Sequence, residues 1–372
     1  MAEEKERKAF KDWFDREAAK KLADQMAGAM PAFDRARFVR LAMRKLNTLE
    51  MSNRVRQFSD ALRSTLPVSL PAALKVLQES LPEILPDCED VTDGWLQWPV
   101  GQFIADHGLE HFDTAMTAMI ELTQRFSSEF AVRPFVDQRP KETFARLIKL
   151  TKHPSPHVRR WCSEGVRPRL PWGMKLRALV ADPTPIFPIL EQLKEDPELY
   201  VRRSVANNLN DIAKDHPELV VERCRIWKKR GNANRDWLIR HALRSLIKDG
   251  HPDALELVGF GPPKRLNAKL SLSPTGIEVG ESVVMDANIS STHGKPQKLA
   301  IDYAVHYVRK AGKTSAKVFK WTTVELSPSG KITLTKKHPM KRTTIRALYP
   351  GAHKIEIQIN GARHAAAFFE LK

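Results

Sequence analysis

Through most of the chain, apolar residues recur at intervals of three and four positions, which is typical of amphipathic helices. Leu74, Leu77 and Leu81 show this spacing, and so do Leu209 and Ile212. Proline-containing turn signals separate the helical segments; they are Leu66-Pro67, His153-Pro154, Asp182-Pro183, Asp196-Pro197, His216-Pro217 and His251-Pro252. The pattern predicts an all-helical region over residues 1–261.

After the segment GFGPP (259–263) the spacing of apolar residues changes to every second position. This alternation is typical of half-buried strands and occurs at 270–272, 277–279, 305–307, 332–334 and 355–359. Glycine-containing turns separate these segments, as at Ser329-Gly330 and Asn360-Gly361. About seven short strands in this length predict an all-β, immunoglobulin-like sandwich over residues 266–372.

The helical region contains an internal repeat. VRRWCSE (158–164) aligns with VRRSVAN (201–207), and a weaker copy, LIRHALR, follows at 238–244. A period near 40 residues with paired helices is typical of HEAT-like repeats, which stack into a solenoid. The fold class predicted is therefore a HEAT-like solenoid followed by a β-sandwich, in two domains, 1–261 and 266–372.

Within the second copy the apolar residues fall on one helix face, formed by Val201, Val205, Leu209 and Ile212. A polar stripe runs beside it, and the equivalent positions of the three copies are mostly basic; they are Arg203, Asn207, Asn210 and Lys214, then Arg160, Glu164 and Arg167, then Arg240, Arg244 and Lys248. Because equivalent positions of stacked repeats lie side by side, we expect a basic ridge. The alternative is an ordinary solvated helix face.

Composition supports a nucleic-acid partner. The 372 residues carry a formal net charge of +17, and from residue 266 onward 17 Lys and Arg stand against 7 Asp and Glu, a net charge of +10. Such a charge attracts polyanions. The sequence contains three widely spaced cysteines, a charged N-terminus and no long apolar run. These features predict a cytoplasmic protein without disulfides, signal peptide or membrane span, and without metal or cofactor.

Two glutamates on the expected basic surface are candidates for chemistry. Glu164 belongs to the repeat stripe, and Glu121 lies on the polar side of an earlier helix, one turn before Arg125. A carboxylate repels phosphate groups, so its place there suggests either catalysis or an ion pair with Arg125 or Arg160 on an exposed helix surface. The catalytic alternative is that a carboxylate stabilises a sugar cation and activates water during cleavage of an N-glycosidic bond.

The segment RPRLPW (167–172) follows Glu164 directly, and its two prolines predict a stiff loop. Its arginines can hold phosphates, and Trp172 can contact a cationic base by cation–π attraction. Packing between repeats is the alternative role for Trp172, whereas Trp161 falls on the apolar face and is predicted to be core. The DNA-binding residues predicted from charge and register are Arg125, Arg159, Arg160, Arg167, Arg169, Arg202, Arg203, Asn207, Asn208, Lys214, Arg240, Arg244, Lys336, Lys337, Lys341 and Arg342, the last four in one loop-like stretch.

Three stretches, SEGVRPRLPW (163–172), residues 200–217 and residues 121–134, resemble the bacterial DNA alkylation-repair glycosylases of the AlkC family, relatives of the AlkD family. The resemblance implies a HEAT-like fold, a basic accessory sandwich, and excision of 3-methyladenine and 3-methylcytosine from duplex DNA without a deep base-flipping pocket. With it we expect Glu121 and Glu164 to be catalytic, Trp172 to contact the lesion, and the protein to act as a monomer on the nucleoid.

Two other functions fit the sequence. A non-catalytic HEAT scaffold could bind an acidic protein through the same charged stripes. An architectural DNA- or RNA-binding protein could use the sandwich as a clamp, and salt dependence of binding would not separate it from an enzyme. Release of a base from methylated DNA separates both from a glycosylase.

Overall fold

The computed structural model describes residues 9–86, 94–229, 231–342 and 347–372. Cys88 lies outside the described residues. Their helices are α1 (Arg16–Ala29), α2 (Arg35–Ala42), α3 (Met51–Thr65), α4 (Leu70–Glu79), α5 (Trp98–His107), α6 (Phe112–Thr123), α7 (Arg133–Gln138), α8 (Pro140–Leu150), α9 (Pro156–Glu164), α10 (Arg177–Ala181), α11 (Phe187–Leu193), α12 (Leu199–Ile212), α13 (Pro217–Lys228), α14 (Ala233–Ala242), α15 (Arg244–Lys248) and α16 (Pro252–Leu257).

The predicted turn signals lie between helices or at their first residues. Pro217 and Pro252 begin α13 and α16. Proline suits the first helical position because its missing N–H would have no intrahelical partner there. His216 and His251 therefore directly precede new helices.

Paired helices form the repeat in the region of the first two copies. Helix α9 packs against α12 and α8 packs against α11. Within each repeat the two helices also contact each other, α8 with α9 and α11 with α12. The apolar stripe predicted for the second copy is confirmed, because Val201, Val205, Leu209 and Ile212 are all buried in α12. Trp161 is fully buried in α9, as predicted.

In the first two copies the first arginine holds the turn that begins its own helix. Arg159 donates from Nη1 to the carbonyls of His153 and Pro154, and from its guanidinium to both carboxylate oxygens of Asp196. Arg202 donates from Nη1 to the carbonyls of Asp196 and Pro197 at 2.6 and 2.7 Å. The repeated position thus satisfies carbonyl groups that the preceding turn leaves without helical partners.

By its contacts the chain forms two compact units, Met1–Asp215 and His216–Lys372. The second unit contains α13–α16 as well as all the strands. Within it, Gly250 and Gly361 approach so closely that a Cβ on Gly361 would lie 2.4 Å from the Gly250 carbonyl oxygen. The division into domains 1–261 and 266–372 stays a prediction, and so does a ridge that joins all three repeat copies.

Eight strands follow in the described residues; they are β1 (Leu266–Ser273), β2 (Gly276–Ile277), β3 (Ser282–Ser291), β4 (Gln297–Val308), β5 (Thr314–Leu326), β6 (Lys331–Pro339), β7 (Gly351–Ile359) and β8 (Ala362–Leu371). They form a three-stranded sheet, β1-β3-β6, and a five-stranded sheet, β2-β8-β7-β4-β5. Every pairing is antiparallel except that of β2 with β8. Inward-facing residues such as Met285 and Val305 form the core. The predicted sandwich is confirmed.

Part of the expected basic loop is a strand. Lys336 and Lys337 lie in β6, where Lys337 pairs with Val284 of β3, whereas Lys341 and Arg342 follow the strand. The single loop-like stretch was a wrong prediction, because the alternation of Ile332 and Leu334 continues to the end of β6. No helix of the described residues is long and apolar enough to cross a membrane.

Candidate active site

A cleft of about 410 Å³ opens in the first compact unit. Its walls come from the segment before α1, the first turn of α5, the end of α6 and the turn after it, α9 with the loop that follows, and the start of α12. The residues that line it are Phe10, Leu85, Trp98, Thr123, Phe126, Ser127, Glu129, Phe130, His157, Arg160, Glu164, Arg167, Leu170, Pro171, Trp172 and Tyr200. One side is mainly aromatic and the other carries buried charge.

Glu164, the last residue of α9, is the central carboxylate of the cleft. The residue is only 4% exposed. Its Oε1 accepts from Arg167 Nη1 at 2.6 Å and lies 3.3 Å from Arg160 Nη2, and its Oε2 accepts from the Ser204 hydroxyl at 2.6 Å. Since an ionised carboxylate has about four acceptor directions, these contacts leave one direction for a ligand or water.

The charges around Glu164 keep it ionised. Burial alone would raise its pKa, but Arg160 and Arg167, together with the hydrogen bonds from Ser204 and Arg167, outweigh burial and lower the pKa below the usual value. At neutral pH the group is therefore a fixed negative charge in a poorly solvated place. It is a poor proton donor, and it is well suited to stabilise a positive charge that develops beside it.

Arg160 joins Glu164 to a second carboxylate. Its Nη1 contacts Glu129 Oε2 and donates to the Ser127 hydroxyl at 2.8 Å, while Ser127 in turn donates to Glu129 at 2.9 Å. Burial opposes the charge of Arg160, but Glu129 and Glu164 outweigh it and raise the arginine's pKa. The guanidinium also lies 5.2 Å from the centre of the Tyr200 ring. The two carboxylates are therefore held on one cation.

Arg167 anchors the opposite side of Glu164 to α12. Its guanidinium contacts Asp211 at 2.8 Å from both Nε and Nη2, and Asp211 also accepts from Lys214 at 2.8 Å. Asp211 and Arg167 are both buried. The position of Glu164 is thus fixed from two helices by alternating charges.

Parallel aromatic rings form the other wall of the cleft. Trp98 stacks on Phe130 with ring centroids 5.1 Å apart, and Trp172 lies parallel to Trp98 at 6.3 Å. Trp172 has a left-handed backbone conformation, with φ of 63°, and is 78% exposed. A tryptophan that is exposed in a conformation rare for its type is a candidate for ligand contact.

Arg133 connects the loop that contains Trp172 to the end of α9. It is fully buried and donates to the carbonyls of Gly165 at 3.0 Å and Met174 at 2.6 Å. Burial lowers its pKa to about 10, which leaves it charged at neutral pH. One buried side chain thereby holds the backbone next to Glu164 and the backbone two residues after Trp172.

The structure places the two predicted catalytic glutamates in different surroundings. Glu164 does pair with Arg160, but the pair is buried in the cleft, so the expectation of an exposed helix surface was wrong. The polar stripe of α9, to which Glu164 belongs, packs against α12 and the turn after α6. Glu121 does not line the cleft; it is 44% exposed and pairs with Arg125 one turn later at 2.8 Å. The catalytic role of both glutamates stays a prediction.

Several predicted DNA-binding residues of the first unit hold protein groups. Besides Arg159 and Arg202, Asn208 is buried and donates to the carbonyl of Ser163. Arg169 makes a two-point ion pair with Asp215 at 2.6–2.7 Å. Arg203 is exposed, Asn207 is half-buried and Lys214 is exposed. Lys214 also pairs with Asp211, and a contact of these three residues with DNA stays a prediction.

The remaining predicted DNA-binding residues belong to the second unit. Arg240 lies on α14 and Arg244 begins α15, so the third copy is interrupted at Leu243. Arg240 and Arg244 are exposed, as are Lys337, Lys341 and Arg342. Lys336 is half-buried and donates to the carbonyl of Lys320.

Sequence reasoning missed Glu129, Trp98, Phe130, Tyr200 and Ser204. Glu129 and Phe130 lie in the stretch 121–134 that carries the family resemblance, but no periodic pattern marks them because the turn after α6 is irregular. Trp98 is distant in sequence, and only the tertiary fold brings it to Trp172. Ser204 could have been noticed, since it stands where the first copy has Trp161.

Comparison with known proteins relates both the sandwich and the whole chain to a known family. The family model described as "Uncharacterised protein YhaZ, C-terminal Ig-like domain" matches residues 267–372, so the sandwich is immunoglobulin-like, as predicted. The chain is 35% identical over 354 residues to the uncharacterized protein YhaZ of Bacillus subtilis strain 168, covering 95% of this chain and 96% of that protein. The structure of the present chain is similar to that of the Pseudomonas fluorescens alkylpurine DNA glycosylase AlkC bound to DNA containing an abasic site analog, with a TM-score of 0.89 and 35% sequence identity. The match covers 98% of the present chain and 100% of the AlkC chain.

Proposed function

The chain belongs to the family of YhaZ and AlkC, and on that premise we propose that it is a DNA glycosylase of alkylation repair. In this proposal the protein hydrolyses the N-glycosidic bond of cationic alkylated bases, such as 3-methyladenine and 3-methylcytosine, in duplex DNA. The reaction is monofunctional: water displaces the base and leaves an abasic site.

The observation that carries the proposal is the buried, ionised Glu164 opposite an exposed aromatic ring. Breaking an N-glycosidic bond builds positive charge on the sugar, as in glycoside hydrolysis. A carboxylate held in place by Arg160 and Arg167 can stabilise that charge without reorganising. The acceptor direction left on Glu164 can also orient the attacking water. Glu129 lies on the same arginine and strengthens the negative side of the cleft.

A cationic leaving base removes the need for a general acid. A base methylated at a ring nitrogen carries the positive charge that protonation would otherwise supply, so it departs as a neutral molecule. This agrees with the lowered pKa of Glu164, in which the arginines outweigh burial. It also agrees with the parallel rings of Trp98 and Trp172, since a cation is attracted to an aromatic face.

The exposed cations of the second unit supply DNA affinity in this proposal. Lys337, Lys341 and Arg342 are exposed on the sandwich, and Arg240 and Arg244 on its helices. Contacts of this kind bind phosphate groups without reading sequence. We further propose that the protein acts as a monomer in the cytoplasm, on the nucleoid.

The experiment is incubation of the purified protein with DNA that was methylated as single strands and then annealed to a duplex, followed by chromatography of released bases and cleavage of abasic sites with alkali. We expect free 3-methyladenine and 3-methylcytosine, and an equal number of abasic sites. Tight binding of DNA without base release would favour the architectural alternative. Weak binding of DNA together with capture of an acidic protein would favour the scaffold alternative.

A further inference from the structure

Ser204 is a buried hydroxyl directed at the carboxylate of Glu164. It lies on α12, 40 residues beyond Glu164, and is 2% exposed. Its Oγ donates to Glu164 Oε2 at 2.6 Å, whereas both arginines contact the other oxygen, Oε1. Among the described residues this hydroxyl is the hydrogen-bond donor to Oε2, the oxygen that keeps a free acceptor direction.

The repeat explains how a hydroxyl comes to this place. Position 204 is equivalent to 161, because the two copies align 43 residues apart. In the first copy Trp161 fills this position and is fully buried in α9. The second copy has a small polar residue instead, and α9 packs directly against α12. The exchange of a large apolar side chain for serine leaves room for a carboxylate and provides a donor to it.

We propose that Ser204 is a positioning residue, which holds Glu164 Oε2 toward the cleft and stabilises its ionised form. The inference rests on the proposed function, since it assigns Ser204 to the reaction through Glu164. Ser204 itself is not among the residues that line the cleft, so it acts through the carboxylate.

The other charged groups that face Glu164 do not replace this hydrogen bond. Arg160 of α9 and Arg167 of the following loop contact Oε1, Glu129 lies beyond Arg160, and Asp211 of α12 lies beyond Arg167. Arg133 of α7 interacts with Glu164 only through longer-range electrostatics. Without Ser204 the arginines would still hold Oε1, but Oε2 would lose its donor and its fixed direction.

Removal of the hydroxyl should therefore affect the chemical step more than folding or DNA binding. Where a hydrogen bond to a charged group becomes stronger in the transition state, its loss lowers the rate roughly tenfold or more. It should also make ionisation of Glu164 harder, because a donor to the charged form is removed. The pH below which the excision rate falls, which is the acid limb of its pH profile, should then be higher than in the wild type.

The test compares Ser204→Ala with Ser163→Ala. Ser163 is a matched control, because it is next to Glu164 in sequence, fully buried, and its Oγ has no hydrogen-bond partner among the described residues. We expect Ser204→Ala to lower single-turnover excision about tenfold with DNA affinity unchanged, and to shift the acid limb upward. Ser163→Ala should excise at the wild-type rate. Equal rates and equal pH profiles for Ser204→Ala and the wild type would overturn the proposal, and so would an equal loss in both variants.

A measurement that needs no activity separates this proposal from the proposed function. The carboxylate of Glu164 can be titrated by carbon-13 NMR in the full-length wild type and in both serine variants, with Glu164→Gln for assignment. We expect a higher pKa of Glu164 in Ser204→Ala than in the wild type and in Ser163→Ala. An unchanged pKa in Ser204→Ala would refute the positioning role, whereas a wild type that releases no base would refute the proposed function alone.

Discussion

Replacing Glu164 by glutamine removes a negative charge from between a buried arginine, Arg167, and a largely covered one, Arg160, while keeping the size of the side chain. In the wild type Oε1 contacts Arg160 at 3.3 Å and Arg167 at 2.6 Å. Loss of an electrostatic stabiliser that faces a developing cation should lower the excision rate on the order of 100-fold. Because one partner of a buried ion network is removed, the free energy of unfolding should also fall, by on the order of 3 kcal/mol.

The matched control is Glu121→Gln. Glu121 is 44% exposed and pairs with Arg125, which is the ordinary case of a pair on a helix surface. Such a pair contributes about 0.3–0.5 kcal/mol, so this variant should melt almost as the wild type does. It lies outside the cleft lining, and on the structural argument it should also excise at nearly the wild-type rate.

The assay is single-turnover excision from methylated duplex DNA at a temperature well below the melting transition of every variant, with a binding isotherm beside it. DNA affinity of Glu164→Gln should hold or rise, because a charge that repels phosphate has gone. Near-normal excision by Glu164→Gln would refute its catalytic role. A rate reduced only in proportion to the unfolded fraction would show that Glu164 is structural. A large loss in Glu121→Gln with unchanged stability would support the catalytic role that the sequence predicts for Glu121.

Three further predictions follow from the cleft and the sandwich. Borohydride present during turnover should trap no protein–DNA adduct, since the described lining of the cleft has carboxylates and arginines but no lysine that could form a Schiff base. Trp172→Ala should slow excision of cationic bases more than Trp172→Phe, because cation–π attraction needs the aromatic face; equal loss in both variants would contradict this. Changing Lys337, Lys341 and Arg342 together to glutamine should make the plot of log binding constant against log salt concentration less steep, by up to about 0.9 in slope for each phosphate that is no longer neutralised. The excision rate at saturating DNA should stay unchanged. An unchanged slope would show that these residues do not bind DNA.

Point variants suit the sandwich better than truncation. Deletion from residue 266 onward is the test that the sequence suggests, but the second compact unit contains α13–α16 together with the strands. Gly250 and Gly361 touch, and Asn360 donates to the carbonyl of Gly261 at 2.7 Å. Truncation would therefore expose helices that are packed in the full chain, and a loss of binding would not report on the basic residues alone.

The periodic parts of the fold were predictable because burial alone determines them. The spacing of Val201, Val205, Leu209 and Ile212 marked the buried face of α12, and all four are buried. Alternation marked strands of both sheets, as at 305–307 in β4 and 332–334 in β6. The same reasoning failed for the polar stripe of α9, because Arg160 and Glu164 lie on a face that a neighbouring helix and a turn cover. Periodicity identifies a polar face, but it does not show whether water or another charge satisfies it.

The chemistry of the cleft depends on how the two repeat copies differ. The shared arginines Arg159 and Arg202 have the same structural task in both copies, whereas Arg160, which recurs as Arg203, lines the cleft in the first copy. Two positions at which the copies differ also contribute to the site: Trp161 of the first copy corresponds to Ser204 of the second, and Glu164 corresponds to Asn207. Stacking of α9 on α12 brings Ser204 to Glu164 and leaves Asn207 half-buried. In a repeat protein of this kind, departures from internal symmetry therefore indicate functional residues, such as Ser204, that the repeated charges alone do not.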